Sequence, residues 1–515
     1  RTAFQDHGFW FANNGYVCLI VDTLQLGEIA GIHHGTYGLR RGKDQPAETR
    51  FWWHSAGYTP AGVECWNGVR GIDYLLTRPE VDPERIGVTG ISGGGAATFW
   101  IAAADERVKV AVPVSGMSDL ESYVKNKVVN GHCDCMFLYN TYQWDWTTIA
   151  ALVAPRPLLF ANSDNDPIFP MDANRRIIAK LRQLYAMYGK PDLVDDYVSV
   201  GGHAYRPDLR RAIFKYINKH LKGDTTTPVE DSAQYAEIPG KELRVFPEDS
   251  DIPKDALNAK IDESFVPRAK VELPAEGEFA EWKRERLRAL REKCFQGSPE
   301  RFPAATEDKG SLKTQLFGMA VKTYRTEPEI LANLASIKSS GKKTVLSVVH
   351  DQHQAKELVD PVGPLDVNWL FGVAARGSDF DAWTRKSPPN FVARAHALLG
   401  RTVDQGRVWD IAAVARFLAE THQGLQILGH GETGILAVYA ALFEPSIKEV
   451  VVVDPPKSHM DGPHFLGVLR VLDIPDALGL LAPTPLTIIG GNDPAFDRTA
   501  EIYRRAGAAD KLTRK

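Results

Sequence analysis

The stretch from Arg85 to Trp100, RIGVTGISGGGAATFW, constrains the fold more than any other. A β-branched run passes into a glycine-rich turn and then into a run of small residues, which reads as a strand, a sharp turn and a helix. Within it, Gly90-Ile91-Ser92-Gly93-Gly94 fits the pattern G-x-S-x-G. Such a turn forces its serine into a strained backbone conformation, and glycines two residues away on either side let strand and helix pass without a clash. The Ser92 hydroxyl is then held outside the sheet, at the N-terminus of a helix whose dipole favours negative charge.

A unit of this kind belongs in a parallel sheet, and the first half of the chain supplies one. YVCLIVD (Tyr16 to Asp22) reads as a continuous apolar strand and GVECWNGVRGIDYLL as a helix. RIGVTGIS, VKVAVPVSG, RPLLFANSD and DYVSVGG read as further strands, and the amphipathic run PDLRRAIFKYINKHLKG closes the series. Fully apolar strands separated by helices predict a parallel sheet covered on both faces. Residues 1–223 are therefore expected to form one α/β domain.

A serine hydroxyl is barely ionised at neutral pH and needs a base beside it to attack. In a sheet of this type the partners follow in the order Ser, then Asp or Glu, then His. Asp166 in NDPIFP follows the strand RPLLFAN, and His203 in VGGHAY follows the strand DYVSV. Both stand at strand C-terminal ends, where open α/β sheets place their sites. The expected roles are attack by Ser92, proton transfer by His203, and orientation of His203 by Asp166. Asp164, two residues earlier, is the alternative acid, and His33, His34 and His132 are weaker candidates for the base because they precede the acid strand.

Seven of the 11 tryptophans fall in this half, so their placement bears on any pocket. Trp66 and Trp100 sit within helical patterns and read as core. Trp52, Trp53, Trp144 and Trp146 lie in the loop-like stretches TRFWWHSAGY and NTYQWDWTT. There they are candidates to bind substrate, stacking on sugar rings or forming a hydrophobic lid.

Residues 224–340 read as a linker and connecting helices, or the start of a second domain. Asp224 to about Pro274 is polar and proline-rich, with room for an isolated strand. FAEWKRERLRALREKCF reads as a solvated helix, its glutamates interleaved with arginines. Over residues 341–515 the alternation resumes, and a weak repeat emerges: APRPLLFANSDNDPIF (Ala154 to Phe169) is echoed by APTPLTIIGGNDPAF (Ala482 to Phe496). The chain reads as two copies of one fold. In the second, Gly429-His430-Gly431-Glu432-Thr433 occupies the turn, with Gly431 where Ser92 stands in the first. Asp493 persists, yet no histidine follows it before Lys515, which leaves this copy without a Ser-His-Asp set.

With a formal net charge of -4 the chain has no basic field for nucleic acid or acidic membranes. No apolar run approaches the roughly 20 residues of a membrane helix. Small-molecule or neutral-polymer chemistry fits better. Five cysteines make no disulfide framework. The close pair Cys133 and Cys135 in GHCDC lacks CxxC spacing and a second ligand cluster, and is expected to be a tight turn holding half-buried thiols, with no metal. The chain begins with Arg1 rather than methionine, so an upstream segment is expected.

The elbow, the acid loop APRPLLFANSDNDPIFP and the histidine loop resemble the α/β-hydrolase superfamily. VDPERIGVTGISGGGAATFWIAAADERVKVAVPVSG is similar in particular to the acetyl xylan esterase and dienelactone hydrolase-like group, related to prolyl oligopeptidase catalytic domains. The resemblance covers nearly all of residues 1–222. Taken with the internal repeat, it gives the expectation of two tandem α/β-hydrolase domains with mostly parallel sheets covered by helices. It further implies cofactor-free ester hydrolysis through an acyl-serine intermediate, most readily deacetylation of a carbohydrate, with the Gly93 N–H in the oxyanion hole, and a secreted or periplasmic setting. Arg1 to Asn14 then corresponds to the helix after the loop carrying the second oxyanion donor, which would lie upstream together with the first strands. The competing expectations are a prolyl oligopeptidase-like peptidase, against which the absence of blade-length repeats counts, and a non-catalytic binding protein of the same fold.

Overall fold

Four apolar runs of the first half become strands: β1 (Ile86–Ile91), β2 (Val108–Val114), β3 (Leu158–Ser163) and β4 (Val194–Ser199). All pair in parallel, in the order β1-β2-β3-β4. The computed structural model describes residues 5–33, 50–136, 140–231, 236–309, 314–316, 319–350, 367–378 and 390–515. His34 falls outside them. These residues form two compact units, one of 1–50 with 58–266 and the other of 51–57 with 267–515.

In the first unit the period-2 rule of a strand is visible in β2, where Val110, Val112 and Val114 face one core cluster. That cluster takes Trp10 and Phe11 from the helix Gln5–Asn13 and Leu209, Ile213, Phe214 and Ile217 from the helix Pro207–Ile217. Trp10 stacks on Phe214 at 3.7 Å. It takes nothing from the helices Gly93–Ala104 and Met171–Met187. Those pack on β1 with β2 and on β3 with β4, so the sheet is covered on both faces.

The expected strand Tyr16–Asp22 takes no place in the sheet. Val17, Leu19, Ile20 and Val21 are exposed, and among the described residues the sheet ends at β1. Apolar, β-branched composition yields a strand only where a neighbour takes up its N–H and C=O groups. Residues 224–266 carry no strand among those described, only short helical turns such as Asp249–Asp251 and Ile261–Ser264.

The second unit starts its sheet earlier than the sequence suggests. Two short strands, β5 (Thr306–Glu307) and β6 (Thr314–Leu316), flank the hairpin of β7 (Met319–Glu327) and β8 (Ile330–Lys338). The strands β9 (Lys343–Val349), β10 (Val367–Ala374), β11 (Leu425–His430), β12 (Ile447–Val453), β13 (Leu486–Ile489) and β14 (Leu512–Arg514) follow. The order is β14-β13-β12-β11-β9-β10-β8-β7-β5, with β6 also on β7. Pairing is parallel from β14 to β10 and antiparallel beyond. The reading of 224–340 as linker and connecting helices or the start of a second domain named no strand at β7 and β8, whose alternating side chains carry polar residues on one face (MAVKTYRTE, ILANLASIK) and so lack the apolar run of a buried strand.

A buried charge cluster ties this unit together. The Arg376 backbone N–H and Nε donate to Asp410 Oδ2, both at 2.9 Å, and its terminal nitrogen reaches Asp410 Oδ1 at 2.6 Å and Glu327 at 2.5 Å. Arg376 and Asp410 are almost completely buried. Gly406 makes room for the guanidinium, since a Cβ there would stand 2.7 Å from it. Removing one member strands the opposite charge without solvent, which costs about 3–5 kcal/mol. Asp410→Ala is expected to lower the urea unfolding free energy of the second unit by that amount; a loss below about 1 kcal/mol would contradict the role given to the cluster.

Candidate active site

The elbow forms as the glycines require. Ser92 adopts φ 60 and ψ -119, a region that costs roughly 1–3 kcal/mol and persists only where its surroundings enforce it. Its N–H donates to the Val114 carbonyl of β2 at 2.9 Å. A Cβ on Gly90 would lie 2.7 Å from the Gly94 backbone, and one on Gly95 would lie 2.4 Å from the Val114 oxygen. Gly90 and Gly95 are therefore the steric requirement, whereas a Cβ on Gly94 meets nothing within 4 Å. Helix Gly93–Ala104 starts directly behind the serine, and its first-turn N–H groups, that of Gly93 first, have no acceptor within the helix.

Two strands further along, the acid loop resolves the choice between carboxylates by geometry. Asp166 is buried and its Oδ2 lies 2.6 Å from Nδ1 of His203. Its Oδ1 accepts from the N–H groups of Ile168 and Phe169 at 3.1 and 3.2 Å. Burial pushes the Asp166 carboxyl up, but the hydrogen bond and charge of His203 and the two backbone donors together hold it below the ordinary value. Asp164 is exposed and instead accepts from the Gly201 N–H at 2.7 Å, bracing the turn that carries His203. Phe169 stacks on the His203 ring at 5.7 Å.

Two further features hold this end of the sheet: Arg206, which the sequence reading did not single out, and His132, which it named only as a weaker candidate for the base. Arg206 joins Ser199 Oγ, Ser163 Oγ and the Gly202 carbonyl at 2.6–2.7 Å, clamping the ends of β3 and β4 around the histidine loop. Its only signal is an arginine just before the helix-starting Pro207. His132 reaches the Ile168 carbonyl at 2.7 Å and packs on Phe169. It acts as a strut of the acid loop. His33, the other described weaker candidate for the base, lies 3.7 Å from Glu64.

The tryptophans divide differently from expectation. Trp53 is 1% and Trp146 0% exposed, because each belongs to a short helix, Trp52–Ala56 and Trp146–Ala150, and turns inward. Trp52 is half-buried and lies with Trp53 in the second unit. Trp144 is 43% exposed and stacks on the more exposed Tyr142 at 5.2 Å, in a loop fixed by buried Asn140, whose Nδ2 donates to the Trp144 carbonyl and whose Oδ1 accepts from the Trp144 N–H. Trp100 is core as expected, but Trp66 is 51% exposed, on the open side of its helix. Cys133 and Cys135, expected as thiols, form a disulfide; the turn sets their Cα atoms 5.4 Å apart, within bridging range.

The same backbone turn recurs in the second unit. Gly431 has φ 54 and ψ -125 between β11 and the helix Glu432–Phe443, and its N–H donates to the Val453 carbonyl at 2.8 Å. A Cβ on Gly429 would lie 2.6 Å from the following turn, as at Gly90. Asp493 caps its own loop through the Ala495 N–H and pairs with Lys457. His430 and Glu432 flank a residue with no side chain.

Residues 50–224 match the model of the prolyl oligopeptidase family. The chain carries an α/β-hydrolase domain over these residues. This domain is similar to "Putative hydrolase YtaP" of Bacillus subtilis, 28% identical over 196 residues, which covers 38% of this chain and 64% of that protein. It is also similar to the 4-O-methyl-glucuronoyl methylesterase of Phanerochaete carnosa, 25% identical over 198 residues, covering 33% of this chain and 48% of the relative. The chain thus spans less than two thirds of either relative. Among solved structures, a family 15 carbohydrate esterase, the glucuronoyl esterase of Caldicellulosiruptor kristjansonii, aligns with 20% identity and a TM-score of 0.30, covering 36% of this chain and 56% of that one.

The pairing of the hydrolase domain's acid and histidine is directly testable. Asp166→Asn is expected to abolish the low-field Nδ1–H proton resonance of His203, and Asp164→Asn to keep it. A resonance retained in Asp166→Asn would contradict the pairing. Because the folded pKa of Asp166 is lowered, its contribution is complete above the unfolded value near 3.9 and fades as pH falls through the folded one. The same variant should therefore lose less stability than wild type on acidification below pH about 4.

Proposed function

We propose that the hydrolase domain is a serine carboxylesterase in which Ser92 attacks the ester carbonyl, His203 transfers the proton and Asp166 orients His203. The observation that carries this reading is the 2.6 Å contact of His203 Nδ1 with buried Asp166, in a sheet whose elbow presents Ser92 in the required chain order. With Nδ1 engaged, the Nε2 of His203 is left to take the hydroxyl proton and return it to the leaving alcohol. The Gly93 N–H, at the start of the helix, is the donor to the developing oxyanion. No cofactor enters this sequence of steps.

The substrate class follows from two supports. One curated relative is named as a methylesterase of a sugar acid, and the stacked, exposed Tyr142 and Trp144 offer an apolar face of the kind sugar rings bind. A carbohydrate ester, acetylated or methylated, suits both, with deacetylation of a polysaccharide as the leading case. The second unit is read here as a degenerate copy of the same fold: its last four strands repeat the parallel order of β1 to β4, and its elbow carries Gly431.

Hydrolysis of p-nitrophenyl acetate, acetylated xylan and a methyl glucuronate ester by the full chain tests this reading. Ser92→Ala is expected to lower kcat by at least ~10⁴ on every ester turned over, and Gly431→Ser to add no activity in the Ser92→Ala background. Cleavage of a prolyl peptide amide in preference to all three esters would move the domain to the peptidases. No turnover of any substrate by wild type would leave a binding protein.

A further inference from the structure

Beside the elbow lies a cluster that the proposed hydrolysis does not use. A ring nitrogen of His33 and the sulfurs of Cys133 and Cys135 all lie within 4.8 Å of one another. His33 and Cys135 are buried and Cys133 half-buried. The residues come from separate parts of the hydrolase unit, His33 from the segment ahead of the elbow and the cysteines from the turn after β2, so the fold rather than sequence adjacency assembles the set.

We infer that, with the Cys133–Cys135 disulfide reduced, these three residues form a binding site for a thiophilic divalent cation, zinc above all. The donor set of two thiolates and one imidazole is one that zinc takes with a fourth position left to water. Ligand atoms around a tetrahedral zinc at about 2.0–2.3 Å stand about 3.4–3.8 Å apart, so on reduction the two sulfurs need only separate from their bonded distance and the imidazole close in from within 4.8 Å. A second feature supports the site independently. Nε2 of His33 lies 3.7 Å from the Glu64 carboxyl, close enough for a small shift on metal binding to make Glu64 the outer hydrogen-bond partner that orients a ligating histidine. The turn itself is anchored from both sides: Trp100 Nε1 donates to the Cys135 carbonyl at 3.4 Å, and His132 holds the Ile168 carbonyl.

The location gives the site a consequence. Cys135 Sγ lies 3.6 Å from where a Cβ on Gly93 would stand, so an ion held here borders the first turn of the elbow helix. The chemistry is an exchange of states. A water-soluble phosphine transfers two electrons to the disulfide, water supplies the oxygen of the phosphine oxide and the two thiol protons, and cation binding then releases those protons.

The intact 515-residue chain provides the test, with cobalt(II) as the probe. Phosphine treatment of the folded protein is expected to raise the thiol count by two. The reduced chain should then bind one equivalent of cobalt with a thiolate-to-cobalt charge-transfer band that zinc displaces, while the oxidised chain shows none. The band should vanish in the Cys133→Ser, Cys135→Ser double variant. Glu64→Gln, which keeps every ligand, should weaken binding about 10–100-fold, and His33→Ala at least as much. An unchanged thiol count, a band that survives in the double variant, or His33→Ala binding as tightly as wild type would each overturn the site. None of these readouts depends on whether Ser92 is a nucleophile.

Discussion

The close approach of strand to helix at the elbow is the constraint on which the first unit depends. With Gly90 against the Gly94 backbone and Gly95 against the end of β2, the chain reverses within one residue, and that residue, Ser92, is left at φ 60. A side chain at either glycine would push the helix Gly93–Ala104 away from the sheet. The strain of roughly 1–3 kcal/mol is then carried by packing on both sides of the sheet. What results is a hydroxyl outside the sheet edge, in front of unpaired helix N–H groups, with no flexible loop holding it.

The remaining site residues are built on the same principle of rigid support. Asp166 receives two backbone N–H groups before it meets His203, which favours its charged form despite burial. Asp164 and Arg206 fix the turn on which His203 rides, and His132 fixes the turn on which Asp166 rides. Asp166 and His203, the acid and base of the proposed reaction, are thus each positioned by neighbours to which the proposal gives no catalytic role. This division of labour separates two carboxylates only two residues apart.

Much of this was legible in the sequence, for reasons that can be stated residue by residue. The strands β1 to β4 and the elbow were legible because buried parallel strands are continuous apolar runs and because the glycines answer a steric demand. The choice of Asp166 over Asp164 was not settled there, since both follow the same strand and only the loop's hydrogen bonds distinguish them. Tyr16–Asp22 misled because composition reports burial preference and not pairing. Trp53 and Trp146 misled because polar neighbours concealed helices of one turn. The hairpin β7–β8 was overlooked because its polar face interrupts the apolar signal. The proximity of His33 to Cys133 and Cys135 is a product of the tertiary fold, 100 residues apart in sequence, and no local pattern encodes it.

The most direct test of the account is the reaction of the full chain with a fluorophosphonate probe, followed by mapping of the modified peptide. The account predicts a single adduct on Ser92, lost in Ser92→Ala and formed more slowly in Asp166→Asn. An adduct on another residue that persists in Ser92→Ala, or no adduct in the folded wild-type chain, would contradict it.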